Sequence, residues 1–180
     1  MLHRNELHNL LLLIGDARSV LEIGVYHGLT ARCVLQLKPQ IRRYVGVDVL
    51  PSYKTGLPGQ QKEVLVNPGS LAIGERRFQL VLRQRGSFDL RPADLLPKFD
   101  AIFIDGDHSR AGVENDTALA ESLINSPGII IWHDHGNPNA QVDEVLRDRE
   151  GVETIDDTWF AVQQFGARRF EMRGSSMVLL

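Results

Sequence analysis

The spacing of apolar residues changes character repeatedly along this chain. From Leu2 to Ile14, leucines at 2, 7, 10, 11, 12 and 13 follow a helical rather than alternating pattern, which Gly15 ends. Ser19 to Ile23 is a short apolar run closed by Gly24, and Thr30 to Leu37 then resumes helical spacing until Pro39 stops it. Continuous apolar runs at Tyr44 to Val49, Phe78 to Leu82, Ala101 to Ile104 and Gly128 to Trp132 predict further strands. Between the last two, Ala111 to Ile124 has helical spacing, with Ser109 placed as its cap and Glu114 and Asp116 early in it, where the helix dipole favours acids. Strands that are apolar on both faces and alternate with helices predict an α/β domain, its mostly parallel sheet covered by helices on both sides.

Beyond Asn139 to Arg149, which reads as an amphipathic helix, come Thr158 to Phe165 and Ser176 to Leu180. These predict a closing antiparallel C-terminal strand pair joined by the 166–174 connection. Pro51 to Gly74 is different, because Pro51, Gly56, Pro58, Gly59, Pro68, Gly69 and Gly74 interrupt any regular element. It reads as a long loop, either a functional lid or a surface connection. No repeat, low-complexity tract or linker divides residues 1–180, so a single domain is expected.

Composition narrows the function classes more than the fold. The net charge is −3, from 20 basic and 23 acidic residues, so the basic footprint of a nucleic-acid binder is absent. One cysteine, Cys33, excludes an internal disulfide and suits a reducing compartment. The run Leu10 to Ile14 is too short to span a bilayer, and no cleavage site follows a basic segment as in a signal peptide. A cytoplasmic protein with no membrane and no nucleic-acid partner is expected.

The stretch VLEIGVYHGLTA places Gly24 and Gly28 at a strand-to-helix turn, where a missing side chain lets the backbone approach a ligand. YVGVD then ends the next strand with Asp48, where a carboxylate binds ribose hydroxyls at the sheet edge. A dinucleotide loop would read G-x-G-x-x-G, yet here Val25 and His27 fill the turn and Glu22 at the strand end repels a diphosphate. A cationic ligand suits Glu22 better. S-adenosylmethionine (SAM) carries an ammonium, a sulfonium, a ribose and no phosphate. The plainer roles are a solvated or paired acid for Glu22 and close helix–strand packing for Gly28.

DAIFIDGDHSRAGVEND sets Asp105, Asp107 and His108 at the mouth of a strand buried on both faces, where a charge is costly unless solvated, paired or bound to a cation. Asp134 ends the next strand in IIIWHD, so in a parallel sheet Asp105 and Asp134 project into one crevice outside the carboxyl edges. Two convergent acids need a cation between them. Oxygen ligands suit Mg²⁺ or Mn²⁺, and a histidine ligand tilts the choice towards Mn²⁺, Fe²⁺ or Zn²⁺. Strand alternation leaves open whether His133 and His135, or Asp134 alone, face the site, unless the strand has already ended. The bland alternative is a simple Asp-Gly-Asp turn with surface histidines.

From Ser19 to about Trp159 the chain resembles the class I SAM-dependent methyltransferases, which have a Rossmann-like sheet. The matching stretches are VLEIGVYHGLTA, YVGVD, FDAIFIDGDHSRAGVENDTALAESLI and PGIIIWHDHG, and the latter half is similar to the small-molecule O-methyltransferases of the methyltransferase 24 family. The resemblance implies that Glu22 and Gly24 lie by the methionine part of SAM, with Thr30 near its carboxylate and Asp48 on the ribose. Ser87 and Phe88 of RGSFD would flank the adenine, while Val25, His27, Gly28, Asp105 and His108 complete the candidate cofactor set. In metal-dependent relatives the ligands are similar in position to Asp105, His133 and Asp134, although the place of His133 is commonly an acid there. His108 matches the catalytic base of catechol-type relatives, and Asp107 either caps the following helix or orients His108.

The reaction so implied is methyl transfer from SAM to a hydroxyl of a small molecule such as a sugar or catechol, with His108 and Asp105 catalytic and Mg²⁺ or Mn²⁺ as a candidate second cofactor. The rivals are a non-catalytic SAM-binding protein, a methyltransferase acting on nitrogen or a macromolecule, and a metal-dependent oxygenase. IDGDHS stands where nucleic-acid amino-methyltransferases carry an Asn/Asp-Pro-Pro-aromatic loop. The short chain also raises the expectation of a homo-oligomer in which a neighbouring subunit completes the pocket.

Overall fold

A computed structural model describes residues 2–53, 67–167, 170–173 and 176–179, with side chains described up to residue 167. The chain opens with helix α1 (Arg4–Ile14), strand β1 (Ser19–Ile23), helix α2 (Leu29–Leu37) and strand β2 (Arg43–Val49). After the 67–74 turns come β3 (Phe78–Arg83), two short 3₁₀ turns at Gly86–Asp89 and Pro92–Leu95, β4 (Phe99–Ile104), α3 (Arg110–Leu123) and β5 (Ile124–Trp132). Helix α4 (Val142–Leu146) and strands β6 (Val152–Ile155), β7 (Phe160–Phe165), β8 (Phe170–Arg173) and β9 (Ser176–Leu179) complete the order.

The central sheet is seven-stranded in the order β3-β2-β1-β4-β5-β7-β6. β1 to β5 run parallel, and β7 is antiparallel to both β5 and β6, giving a Rossmann-like fold. Because side chains alternate along each strand, the sheet divides its apolar residues between two cores. Val20, Tyr44, Phe103, Ile131 and Phe160 face Leu10, Leu13 and Ile14 of α1 and Val34 of α2. Leu21, Val45, Ile102, Ile130 and Ala161 face Val113, Ala120 and Leu123 of α3 and Leu146 of α4. Ser109 caps α3 as the sequence predicts, its Oγ accepting from Gly112 N at 3.2 Å.

Two expectations are corrected. The partner of β7 is β6, a strand that its mixed polar sequence hides, and β9 forms a separate two-stranded sheet with β8. Asp116 does not lie in the first turn of α3 offering charge to the dipole; it is 1% exposed on the buried face of that helix. The central part of the 51–74 loop lies outside the described residues, and so does any lid it forms.

The order β2-β1-β4 places the reversal of chain winding between β1 and β4, where an open α/β sheet forms its crevice. Ile23 pairs with Ile104 there, so the ends of both strands reach the crevice side by side. Among the described residues, no helix is long and apolar enough to cross a membrane.

Candidate active site

The carboxyl ends of β1, β2, β4 and β5 open onto one cleft of ≈ 340 Å³, a size typical of small-molecule sites. Its floor is set by Gly24, which has φ 89° and touches the β4 end so closely that a Cβ would lie 2.1 Å from the Asp105 carbonyl oxygen. Asp48 then shapes the turn after β1: its Oδ2 accepts from Val25 N at 2.9 Å and Tyr26 N at 2.7 Å, and its Oδ1 from Val49 N at 2.7 Å. Tyr26 is held at a positive φ of 51° by this arrangement. Glu22, Gly24, Val25, His27, Thr30 and Asp48 all line the cleft. Gly28 stands behind them as the left-handed N-cap of α2, packed against Gly69.

The cleft concentrates acidic side chains. Burial pushes the Glu22 carboxyl well above its ordinary pKa, against the hydrogen bond from Tyr44, and the charges of Asp105 and Asp48 push it further. Burial also raises Asp48, outweighing its three backbone hydrogen bonds. At the far end, Ser87 and Phe88 line the wall, with the Ser87 hydroxyl donating to Asp116 Oδ1. Asn115 Nδ2 donates to the same Oδ1 at 3.2 Å, yet burial dominates and pushes Asp116 up to about 6. A cationic ligand in this cleft would favour the ionised forms of carboxyls that burial pushes towards neutrality.

Two imidazoles and two carboxylates meet at the ends of β4 and β5. His108 Nε2 lies 3.4 Å from Asp105 Oδ1 and 3.2 Å from Asp134 Oδ2, and His133 Nδ1 lies 3.2 Å and 2.9 Å from the same two atoms. Burial pushes His108 down, but Asp105 and Asp134 override it and raise its pKa. His133 is treated likewise and reaches about 10. Burial acts on Asp105 in the opposite sense, and the hydrogen bonds from His108 and His133 reverse it to hold the carboxyl well below the usual range. Ligand atoms of Asp105, His108 and Asp134 all fall within 4.8 Å of one another, an oxygen-rich set with a nitrogen donor that fits Mn²⁺ or a similar divalent cation.

The family model labelled methyltransferase 24, a methyltransferase domain, matches residues 21–135. The chain belongs to this methyltransferase family. An uncharacterised protein of Acanthamoeba polyphaga mimivirus is 30% identical over 122 residues, covering 67% of this chain and 52% of that one, so the chain spans about half the length of this curated relative. Among solved structures, a methyltransferase of Podospora anserina with bound S-adenosylhomocysteine (SAH) matches with a TM-score of 0.62 at 16% identity, over 91% of this chain and 80% of that chain. The O-methyltransferase TomG of Streptomyces achromogenes, involved in tomaymycin synthesis and solved with SAM, matches with a TM-score of 0.56 at 16% identity, over 92% and 82%. At such identities the likeness is one of fold.

In this member of the family the alternation left open after β5 has a definite outcome. The strand ends at Trp132 and Asp134 takes φ 60°, so His133 and Asp134 both enter the cleft, whereas His135 turns towards Asp143 at 3.8 Å. Asp107 holds the loop before α3 rather than capping that helix: Oδ1 accepts from Ser109 N at 2.9 Å and Oδ2 from the Tyr53 hydroxyl at 3.0 Å. Glu6, Tyr53, Asp116 and Trp159 also line the cleft, although sequence reasoning assigned none of them to the site. Two of them do leave a signal. Glu6 precedes Leu10, Leu13 and Ile14, and Asp116 lies between Val113 and Ala120, so each is an acid on the buried stripe of its helix.

Proposed function

We propose that this methyltransferase moves the methyl group of SAM onto a hydroxyl oxygen of a small molecule, with His108 as general base. The observation that carries the reading is the meeting of Glu22, Asp48, Asp105 and His108 in one cleft at the winding reversal of the sheet. SAM supplies an electrophilic methyl on a sulfonium, whose C–S bond breaks as the new O–C bond forms, the electron pair returning to sulfur. Glu22 and Asp48 face the positive and ribose portions of the donor, and the Ser87–Phe88 wall flanks its base. Solved relatives that hold SAM or SAH share this fold and support the donor assignment.

His108 takes the acceptor proton on Nε2, the atom that lies beside Asp105 and Asp134. Those carboxylates orient the ring and stabilise the imidazolium that results. Asp105 and Asp134, with an imidazole nitrogen, would also hold a divalent cation, which supplies Lewis acidity that lowers the pKa of a chelated hydroxyl. Holding the acceptor oxygen in line with the donor contributes the larger part of the acceleration, and base catalysis adds roughly 10²- to 10⁴-fold.

Calorimetric titration with SAM and SAH, followed by a labelled-methyl screen over catechols, sugars and other hydroxylated metabolites, tests the reading. Binding of both ligands and transfer to a hydroxyl are expected, with His108→Gln losing roughly 10²-fold or more in rate while still binding SAH. Absence of SAM and SAH binding would overturn the donor assignment. Full-rate transfer by His108→Gln would remove the base.

A further inference from the structure

We infer that Glu6, on the N-terminal helix, is a positioning residue that presents His133 as a nitrogen ligand to a divalent cation between Asp105 and Asp134. The inference rests on the cation-assisted form of the methyl-transfer reading above and deepens it. Glu6 is 4% exposed, on a helix whose other buried residues are leucine and isoleucine. Its Oε2 accepts from His3 N at 2.8 Å, and its Oε1 lies 3.3 Å from both His133 Nε2 and Trp159 N. Asn5 of the same helix reaches the Asp157 carbonyl at 2.9 Å, so α1 is tied at two points to the turn that ends in Trp159.

Imidazole chemistry then fixes which nitrogen is free to ligate. In the proposed arrangement Glu6 Oε1 accepts from His133, which puts a proton on Nε2. In the neutral ring this leaves the Nδ1 lone pair directed at Asp134 Oδ2, 2.9 Å away, and Asp105 Oδ1, 3.2 Å away. Without an ion a proton on Nδ1 lies between the ring and these two oxygens, and a divalent cation held by the same three atoms would displace it. A carboxylate behind a histidine that faces other carboxylates is also the arrangement that fixes the tautomer and orientation of a metal-bound imidazole. The rings of Phe160, at 5.6 Å between centroids, and Phe103, at 6.2 Å, hold His133 in that plane from the sides. On this assignment His133 completes the donor set with Asp105 and Asp134, and His108 stays available as the base.

A purely structural Glu6 would staple α1 to the sheet and nothing more, and the two roles separate in a Mn²⁺ titration followed by electron paramagnetic resonance, paired with SAH calorimetry. Wild type is expected to bind Mn²⁺. Glu6→Ala and Glu6→Met, which both remove the acceptor while Met keeps the volume, should bind Mn²⁺ roughly 10- to 100-fold more weakly with SAH affinity within about twofold. Glu6→Gln, which retains an acceptor oxygen, should recover part of the loss. His133→Ala should lose Mn²⁺ binding and His108→Gln should keep it. Unchanged Mn²⁺ affinity in Glu6→Ala or Glu6→Met, an equal loss of Mn²⁺ and SAH, or the reverse ranking of the two histidines would overturn the inference. A wild-type protein that binds SAH but no Mn²⁺ would also overturn it and leave methyl transfer standing, whereas failure to bind either would remove both.

Discussion

The Tyr44 hydroxyl donates to Glu22 Oε2 across 2.9 Å, and both side chains are buried, Glu22 near the end of β1 and Tyr44 near the start of β2. A phenol is a neutral donor, so this bond orients the carboxylate without cancelling its charge. Asp48 and Asp105 stand close enough to raise the Glu22 pKa further. With its pKa so raised the buried Glu22 favours the neutral form in the ligand-free protein, and a cation beside it favours the ionised one.

Glu22→Gln is therefore expected to leave the ligand-free fold as stable as wild type or more so, while weakening SAM roughly 10- to 100-fold. The neutral thioether of SAH should suffer less than the sulfonium of SAM. Calorimetric titration with both ligands measures the difference, and equal losses would show that Glu22 does not sense the sulfonium.

Gly24 occupies a conformation and a space that no other residue fits, with φ 89° and a Cβ position 2.1 Å from the Asp105 carbonyl oxygen. Gly24→Ala must push β1 and β4 apart at the cleft, and a loss of at least ~2 kcal/mol in urea denaturation is expected. Wild-type stability in that variant would show that the two strand ends are not packed in this way.

Asp116 gives a pH signature. Its folded pKa is raised to about 6 from 3.8, so between those values the folded state keeps a proton that the unfolded state has lost. Stability from this group falls as pH rises through that window, and a penalty of roughly 3 kcal/mol persists above it. Asn at this position can still accept from Ser87. Asp116→Asn should melt close to wild type near pH 4 and above it at pH 8; parallel melting curves at both values would contradict the assignment.

Ser109 tests the start of α3, the helix that comes after the His108 loop. Its Oγ accepts from Gly112 N at 3.2 Å, and Ser109→Ala should cost ~1 kcal/mol in chemical denaturation. Ser109→Thr, which keeps the oxygen, should recover most of it. An alanine variant as stable as wild type would mean that the cap is replaced by water.

Strands β1 to β5, α2 and α3 were legible because burial on a parallel sheet leaves an unbroken apolar run, and a helix leaves a 3.6-residue stripe bounded by its cap and its breaker. The convergence of Glu22, Asp48, Asp105 and Asp134 was legible for a related reason, since parallel strands deliver their carboxyl ends to one edge. β6 escaped detection because Val152–Ile155 is short and half polar at the rim of the sheet, where burial on both faces is not demanded.

What a chain's local order cannot carry is the meeting of side chains from distant elements. Glu6 and His133 are 127 positions apart, and their contact depends on how α1 docks against the turn before β7. The positive φ of Asp134 likewise breaks the strand alternation that would have sent one of two neighbours away from the cleft. Hydrophobic period and strand polarity are properties of neighbouring residues, so the amino-acid order alone settled the layers and the acidic edge, while the strand order came from the fold. The partners of each imidazole and the buried places of Glu6 and Asp116 came from tertiary packing, because the burial and charge around a group depend on every element that closes over it.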